Sequence, residues 1–155
     1  MQLDQIFKIE FIKGDLLAKT KTEALTELVN TIIQGGLKLD SSLAIEVLQQ
    51  RENLGSTGIG DGVAIPHGKI SALDELVVAF GRSKKGIAYD SLDGKPVHIF
   101  FLLLAPENSA GQHLKVLAKI SKMLKTANFR KKLLEAKSER DLYKIIIDQD
   151  EVCIH

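Results

Sequence analysis

The sequence predicts an α/β (α+β) fold, a mixed β-sheet flanked by helices on both sides, in a single domain covering residues 1–155. Three observations carry that expectation. The run Val97 to Leu104 is almost continuously apolar, as a central strand buried on both faces requires. Amphipathic helical stretches stand before and after the strand-rich middle, which supplies helices for both faces of a sheet. No repeat or linker interrupts the 155 residues, a length that builds one sizeable core without disulfide or metal staples.

The elements follow in order. Phe7, Ile9 and Phe11 alternate with Lys8 and Glu10, the period-two pattern of a half-buried edge strand. Thr20 and Glu23 form a capping box, and Leu25, Leu28, Val29, Ile32 and Ile33 then recur at helical spacing until Gly35-Gly36. A second helix opens at Asp40 or Ser41, turns Leu43, Ala44, Val47 and Leu48 inward, and stops before Gly55. Residues 55–68 read as a glycine-rich loop holding one short strand, Val63 to Ile65, stopped by Pro66. Strands at Leu76 to Phe80 and Val97 to Leu104 come next, the second introduced by an Asp93-Gly94 turn. The last third is helical. Leu114, Leu117, Ile120 and Leu124 mark one helix and Phe129 to Ala136 a shorter one, while Ser138 with Asp141 caps a third carrying Leu142, Ile145 and Ile146.

Composition removes several function classes. Hydrophobic residues at 45% and charged residues at 26% match a globular chain rather than a disordered one. A net charge of +1 gives no general attraction to nucleic acid or anionic membranes. The single Cys153 excludes a disulfide framework and suits a reducing compartment. There is no signal-peptide core near the N-terminus and no apolar run of membrane-spanning length, so the expected location is cytoplasmic, without membrane insertion. The charge is unevenly spread. Residues 1–75 hold 7 Lys/Arg against 11 Asp/Glu, and residues 76–155 hold 14 against 9. Lys115, Lys119 and Lys122 form a row on one helical face, the pattern of a solvated surface or of a contact for an acidic partner.

Chemistry concentrates at the glycine-rich segment, where five glycines fall within fourteen residues. It is not a nucleotide loop. Gly62 and Gly68-Lys69 are separated by five residues rather than four, Ile70 stands where a magnesium-binding Ser/Thr would be, and Pro66 blocks a following helix. The alternative is that the strand Val63 to Ile65 delivers His67 at its C-terminal end, with Pro66 restricting the backbone and Gly68 leaving room beside the ring for another molecule. A neutral imidazole held this way acts as a nucleophile if one nitrogen keeps its lone pair and the other donates to a fixed acceptor. A strand-end histidine satisfied by solvent or backbone is the plainer alternative.

Glu52, six residues, Ile59-Gly60, two residues, then Val63-Ala64-Ile65-Pro66-His67-Gly68 resembles the phosphorylation-site signature of enzyme IIA in bacterial phosphotransferase systems, in the fructose/mannitol class (type 2). The similarity continues through Ala88-Tyr89-Asp90, Leu103 to Pro106, His113-Leu114 and Leu142 to Ile146, and is greatest to the nitrogen-regulatory branch over Ile87 to Pro96 and Ala136 to Ile147. The resemblance implies a mixed sheet flanked by helices and a phosphoryl acceptor, His67. The donor it implies is the phosphocarrier HPr or its nitrogen-branch equivalent. The recipient is a IIB domain, or a regulatory target protein that reads the phosphoryl group as a signal. No metal, nucleotide or organic cofactor is implied. Without a fused transporter or IIB segment, the regulatory role is modestly favoured.

The same resemblance places the active-site arginine at Arg51 and the second active-site histidine at His113. Arg51 lies one turn beyond Val47 and Leu48, so it is expected at the end of the buried stripe, where a planar fork can bind two phosphoryl oxygens. An arginine complementing a helix C-terminus is the ordinary alternative. His113 falls in the first turn of its helix, on the face of Leu117, Ile120 and Leu124, where the helix N-terminus favours a neutral imidazole and a bound anion. No two of His67, His98 and His113 have metal-ligand spacing. His98 reads as a strand-end residue and His155 as a terminal one.

Overall fold

The computed structural model describes residues 2–154, the last two by backbone alone. His155 and the side chain of Cys153 therefore lie outside the described residues. A 3-10 turn at Leu3–Gln5 precedes β1 (Phe7–Lys13), α1 (Lys21–Gln34) and α2 (Ser41–Asn53). Three short strands follow, β2 (Gly58–Gly60), β3 (Val63–Ala64) and β4 (His67–Lys69), then two long ones, β5 (Val77–Ile87) and β6 (Val97–Ala105). Helices α3 (Gln112–Leu124), α4 (Ala127–Glu135) and α5 (Glu139–Ile154) complete the chain.

The six strands form one mixed sheet in the order β1-β5-β6-β3-β2, with β4 also on β6. Strands β5 and β6 are antiparallel, while β1 runs parallel to β5 and β3 and β4 run parallel to β6. Strand β6 is apolar throughout because it serves two cores. Ile99, Phe101, Leu103 and Ala105 pack with α3, α4 and α5, and Phe100, Leu102 and Leu104 pack with α1 and α2. Thr20 caps α1 through a reciprocal bond pair with Glu23, and Asp40 caps α2 by accepting from the Leu43 N–H. No helix among the described residues is long and apolar enough to cross a membrane.

Several expectations need correction. Strand β1 is an edge strand, but its alternation fails: the register shifts between Phe7 and Ile12, Ile9 faces out, and Phe11 and Ile12 fill opposite cores. Leu43 and Leu114 are exposed, and Val116 and Met123 take the buried places that helical spacing offers on α3. Strand β5 runs on to Ile87, well past Phe80. The lysine row on α3 is not uniformly solvated, because Lys119 reaches the buried Asp150 carboxylate at 2.9 Å.

The glycine-rich segment is sheet rather than loop. Asp61 and Gly62, both with positive φ (56° and 76°), make the two-residue turn of a β2–β3 hairpin, a conformation that Asp-Gly adopts readily. Strands β3 and β4 lie on β6 in a single register, Ala64 opposite Phe100 and His67 opposite Leu103. Pro66, which has no N–H, interrupts the ladder between them without shifting it. His67 thus opens β4 instead of ending β3.

Candidate functional site

The C-terminal end of β4 and β6 opens into a cavity of about 650 Å³ between α2 and α3. His67, Arg51 and His113 all line it, together with Val47, Leu54, Lys69 and Glu107. The three residues expected to act together are therefore brought together, each from a different element.

The strand register sets His67. It sits opposite Leu103, on the sheet face that carries α3, while Gly68 turns to the opposite face and meets α2. A Cβ on Gly68 would lie 2.6 Å from Val47 Cγ1. The glycine thus lets α2 approach the strand while still lining the cavity beside the His67 ring. His67 Nδ1 is 2.8 Å from the Ile65 carbonyl oxygen. A carbonyl only accepts, so Nδ1 carries the proton and the lone pair resides on Nε2. The His67 pKa is lowered, chiefly by burial. Arg51 and His113 lower it further, and the Ile65 hydrogen bond and the Glu52 charge oppose them. Its neutral form is favoured.

Arg51 sits in the last turn of α2, where Nη1 donates to the Gly55 carbonyl over 2.9 Å. That bond complements the helix C-terminus and anchors one corner of the fork. Arg51 is not the end of the buried stripe. Ala44, Leu48 and Glu52 form that stripe, whereas Val47 and Arg51 form the adjacent, cavity-facing row. His113, the second residue of α3, lies half-buried with Nδ1 2.9 Å from Ser109 Oγ, which holds the ring at the helix N-terminus. His98 lies away from the cavity on β6, its Nδ1 2.8 Å from the Ser83 carbonyl oxygen.

Glu52 is the residue whose part the sequence reading left unassigned. Its carboxylate accepts from the Thr57 N–H over 3.0 Å and from the Thr57 hydroxyl, and pairs with Lys21 Nζ at 3.2 Å. Burial raises the pKa of the neighbouring Tyr89 phenol, which therefore stays protonated beside this carboxylate. The available signal was positional: four residues after Leu48, Glu52 had to face inward.

The α/β sheet thus brings a histidine whose Nδ1 is committed to a carbonyl into one cavity with an arginine and a second histidine. The family described as "Phosphoenolpyruvate-dependent sugar phosphotransferase system, EIIA 2" matches residues 5–149, and the chain belongs to that family. It is 38% identical to a nitrogen regulatory protein of Bradyrhizobium diazoefficiens, over 94% of this chain and 95% of that one. It is 37% identical to the fructose-specific EIIABC component of Bacillus subtilis, over 97% of this chain but only 24% of that protein. The crystal structure of the nitrogen regulatory protein IIA-Ntr from Neisseria meningitidis superposes with a TM-score of 0.85 at 34% identity, over 92% of this chain and 97% of that one.

Proposed function

We propose that the chain is a phosphohistidine carrier whose acceptor is Nε2 of His67. The observation that carries this reading is the hydrogen bond that commits Nδ1 to the Ile65 carbonyl, leaving the Nε2 lone pair beside Arg51 and His113. In the transfer, the N–P bond of a donor phosphohistidine breaks as the bond from Nε2 to phosphorus forms, and the donor nitrogen keeps the electron pair. Nδ1 keeps its proton, donated to the Ile65 carbonyl, which stabilises the positive charge the ring acquires. Phosphoryl transfer spreads charge over three equatorial oxygens, so fixed cations and donors do most of the work. The free nitrogens of the Arg51 fork and an N–H of His113, aided by the α3 N-terminus, supply them.

The donor in this reading is an HPr-like carrier, or its nitrogen-branch equivalent, in the cytoplasm. The recipient is a IIB domain, or the phosphoryl group stays on His67 and alters the affinity of a regulatory target. The likeness to nitrogen regulatory proteins supports the second use. Incubation with phosphoenolpyruvate, enzyme I and HPr is expected to add one acid-labile phosphate, absent from His67→Ala. Equal labelling of that variant would falsify the assignment. A chase onto IIB proteins, and co-purification with and without the phosphoryl group, separate the two uses.

A further inference from the structure

We propose that Glu52 is a positioning residue for the phosphoryl acceptor, fixing the orientation and tautomer of the His67 ring through the backbone of Thr57 and Ile65. The inference rests on the phosphocarrier reading of His67. Three hydrogen bonds in series join the two side chains. The Thr57 N–H donates to Glu52 Oε1 over 3.0 Å, the Ile65 N–H donates to the Thr57 carbonyl over 3.0 Å, and His67 Nδ1–H donates to the Ile65 carbonyl over 2.8 Å. Ile65 occupies the break between β3 and β4, where Pro66 has no N–H to give. The Ile65 N–H is therefore held from the Thr57 side, and Thr57 is held by Glu52.

The carboxylate is built to stay in place. Its side chain is 1% exposed, and its partners come from the start of α1 (Lys21) and from both polar groups of Thr57. Lys21 Nζ also lies 4.6 Å from the centre of the Tyr89 ring, and Tyr89 Oη is 3.4 Å from Thr57 Oγ1, so the β5–β6 connection closes the cluster. A buried ion pair contributes little net stability compared with a well-packed apolar residue. What a carboxylate adds here is the capacity to accept from an N–H, a hydroxyl and an ammonium at once. Arg51, on the adjacent row of the same turn, holds the other end of the loop through the Gly55 carbonyl at 2.9 Å. Neighbouring residues 51 and 52 thus clamp residues 55–57 from the cavity and from the core. The negative charge of Glu52 also raises the proton affinity of His67, against Arg51 and His113.

The test compares full-length wild type, Glu52→Ala, Glu52→Gln and Asp150→Ala, the last a buried carboxylate remote from the cavity. Nitrogen-15 correlation spectra of the unphosphorylated proteins read the His67 tautomer. Single-turnover transfer from phosphorylated HPr reads rate and KM. Wild type and Asp150→Ala are expected to hold the proton on Nδ1 alone. In Glu52→Ala both tautomers should appear and the transfer rate should fall roughly tenfold or more, with KM for HPr unchanged. Glu52→Gln, whose amide oxygen still accepts from Thr57, should lose about threefold and show a lower His67 pKa than wild type. A folded Glu52→Ala with only the Nδ1–H tautomer and the wild-type rate overturns the proposal. If Glu52→Ala does not fold, wild-type tautomer, pKa and rate in Glu52→Gln overturn it equally. Should wild type itself fail to label, the carrier reading falls, and the tautomer spectra still decide the role of Glu52.

Discussion

Among the described residues, two buried carboxylates each pair with a largely covered lysine, one in each half of the chain. The side chain of Glu52 is 1% exposed and meets Lys21 at 3.2 Å, while that of Asp150 is 3% exposed and meets Lys119 at 2.9 Å. Each also accepts a backbone N–H, from Thr57 over 3.0 Å and from Leu3 over 2.8 Å respectively. The chemistry is nearly identical and the consequences are not. Leu3 belongs to the 3-10 turn Leu3–Gln5, so Asp150 ties that turn to α5 and, through Lys119, to α3. Behind Thr57 lie Ile65 and then the ring of His67. Similar buried ion pairs acquire different functions from what their backbone partners hold.

The largest test of that contrast removes each carboxylate. Glu52→Ala and Asp150→Ala each remove a buried carboxylate that a lysine and a backbone N–H both meet, and each should lower unfolding free energy by about 3–5 kcal/mol in urea titrations. Only Glu52→Ala should also slow phosphoryl transfer, and equal slowing in both variants would erase the distinction. Next comes Arg51→Ala, expected to cut transfer by about 10²-fold, the usual effect of deleting one donor to a developing charge. Its urea midpoint should scarcely move, because Arg51 is only half-buried. Arg51→Lys should recover part of the rate, since an ammonium cannot form the fork. Gly68→Ala sharpens the comparison from the strand side. Its new methyl would sit 2.6 Å from Val47 Cγ1, so the Val47 side chain or α2, with Arg51 and Glu52 on it, must shift. A loss of about 1–3 kcal/mol in urea and a slower transfer are expected together.

The sequence made the layers legible because their signals are local. Thr20 with Glu23, Asp40, the alternation of Leu102 and Leu103 between two cores, and the Asp93-Gly94 turn each follow from periodicity or capping chemistry. The motif also led to His67, Arg51 and His113 as one group, and they do share a cavity. What escaped depended on contacts distant in sequence. Gly68 does line the cavity, but its missing side chain also admits Val47, twenty-one residues earlier, a contact no local signal shows. Five glycines suggested a loop, although Asp61-Gly62 is a hairpin signal and the remaining segments add strands to β6. Glu52 went unassigned because a buried carboxylate becomes intelligible only when its partners, Lys21 and Thr57, are in view.

The finest difference between the two pairs is electrostatic, since a histidine sits within the field of Glu52. The folded-state pKa of His67 lies below the ordinary value of 6.5, mainly through burial. Below pH 6.5 the unfolded chain therefore takes up a proton that the folded protein still refuses. Stability that is fully present above that pH is lost as pH falls toward the folded pKa, and then levels off. A His67→Gln variant has no such proton to gain, so the stability gap between it and wild type should narrow or reverse over this acidic window and stay constant above neutrality. Glu52 acts against the depression, so Glu52→Gln should push the His67 titration to lower pH and extend the window downward. Asp150→Gln should leave the His67 titration where it is, because the charges that act most on that ring are those of Arg51, Glu52 and His113. Urea unfolding of wild type and His67→Gln across the acidic window checks the stability gap. Following the His67 ring carbon-bound protons by NMR in wild type, Glu52→Gln and Asp150→Gln checks the titrations, and a His67 titration displaced by Asp150→Gln as far as by Glu52→Gln would show that the two carboxylates are not separate in function.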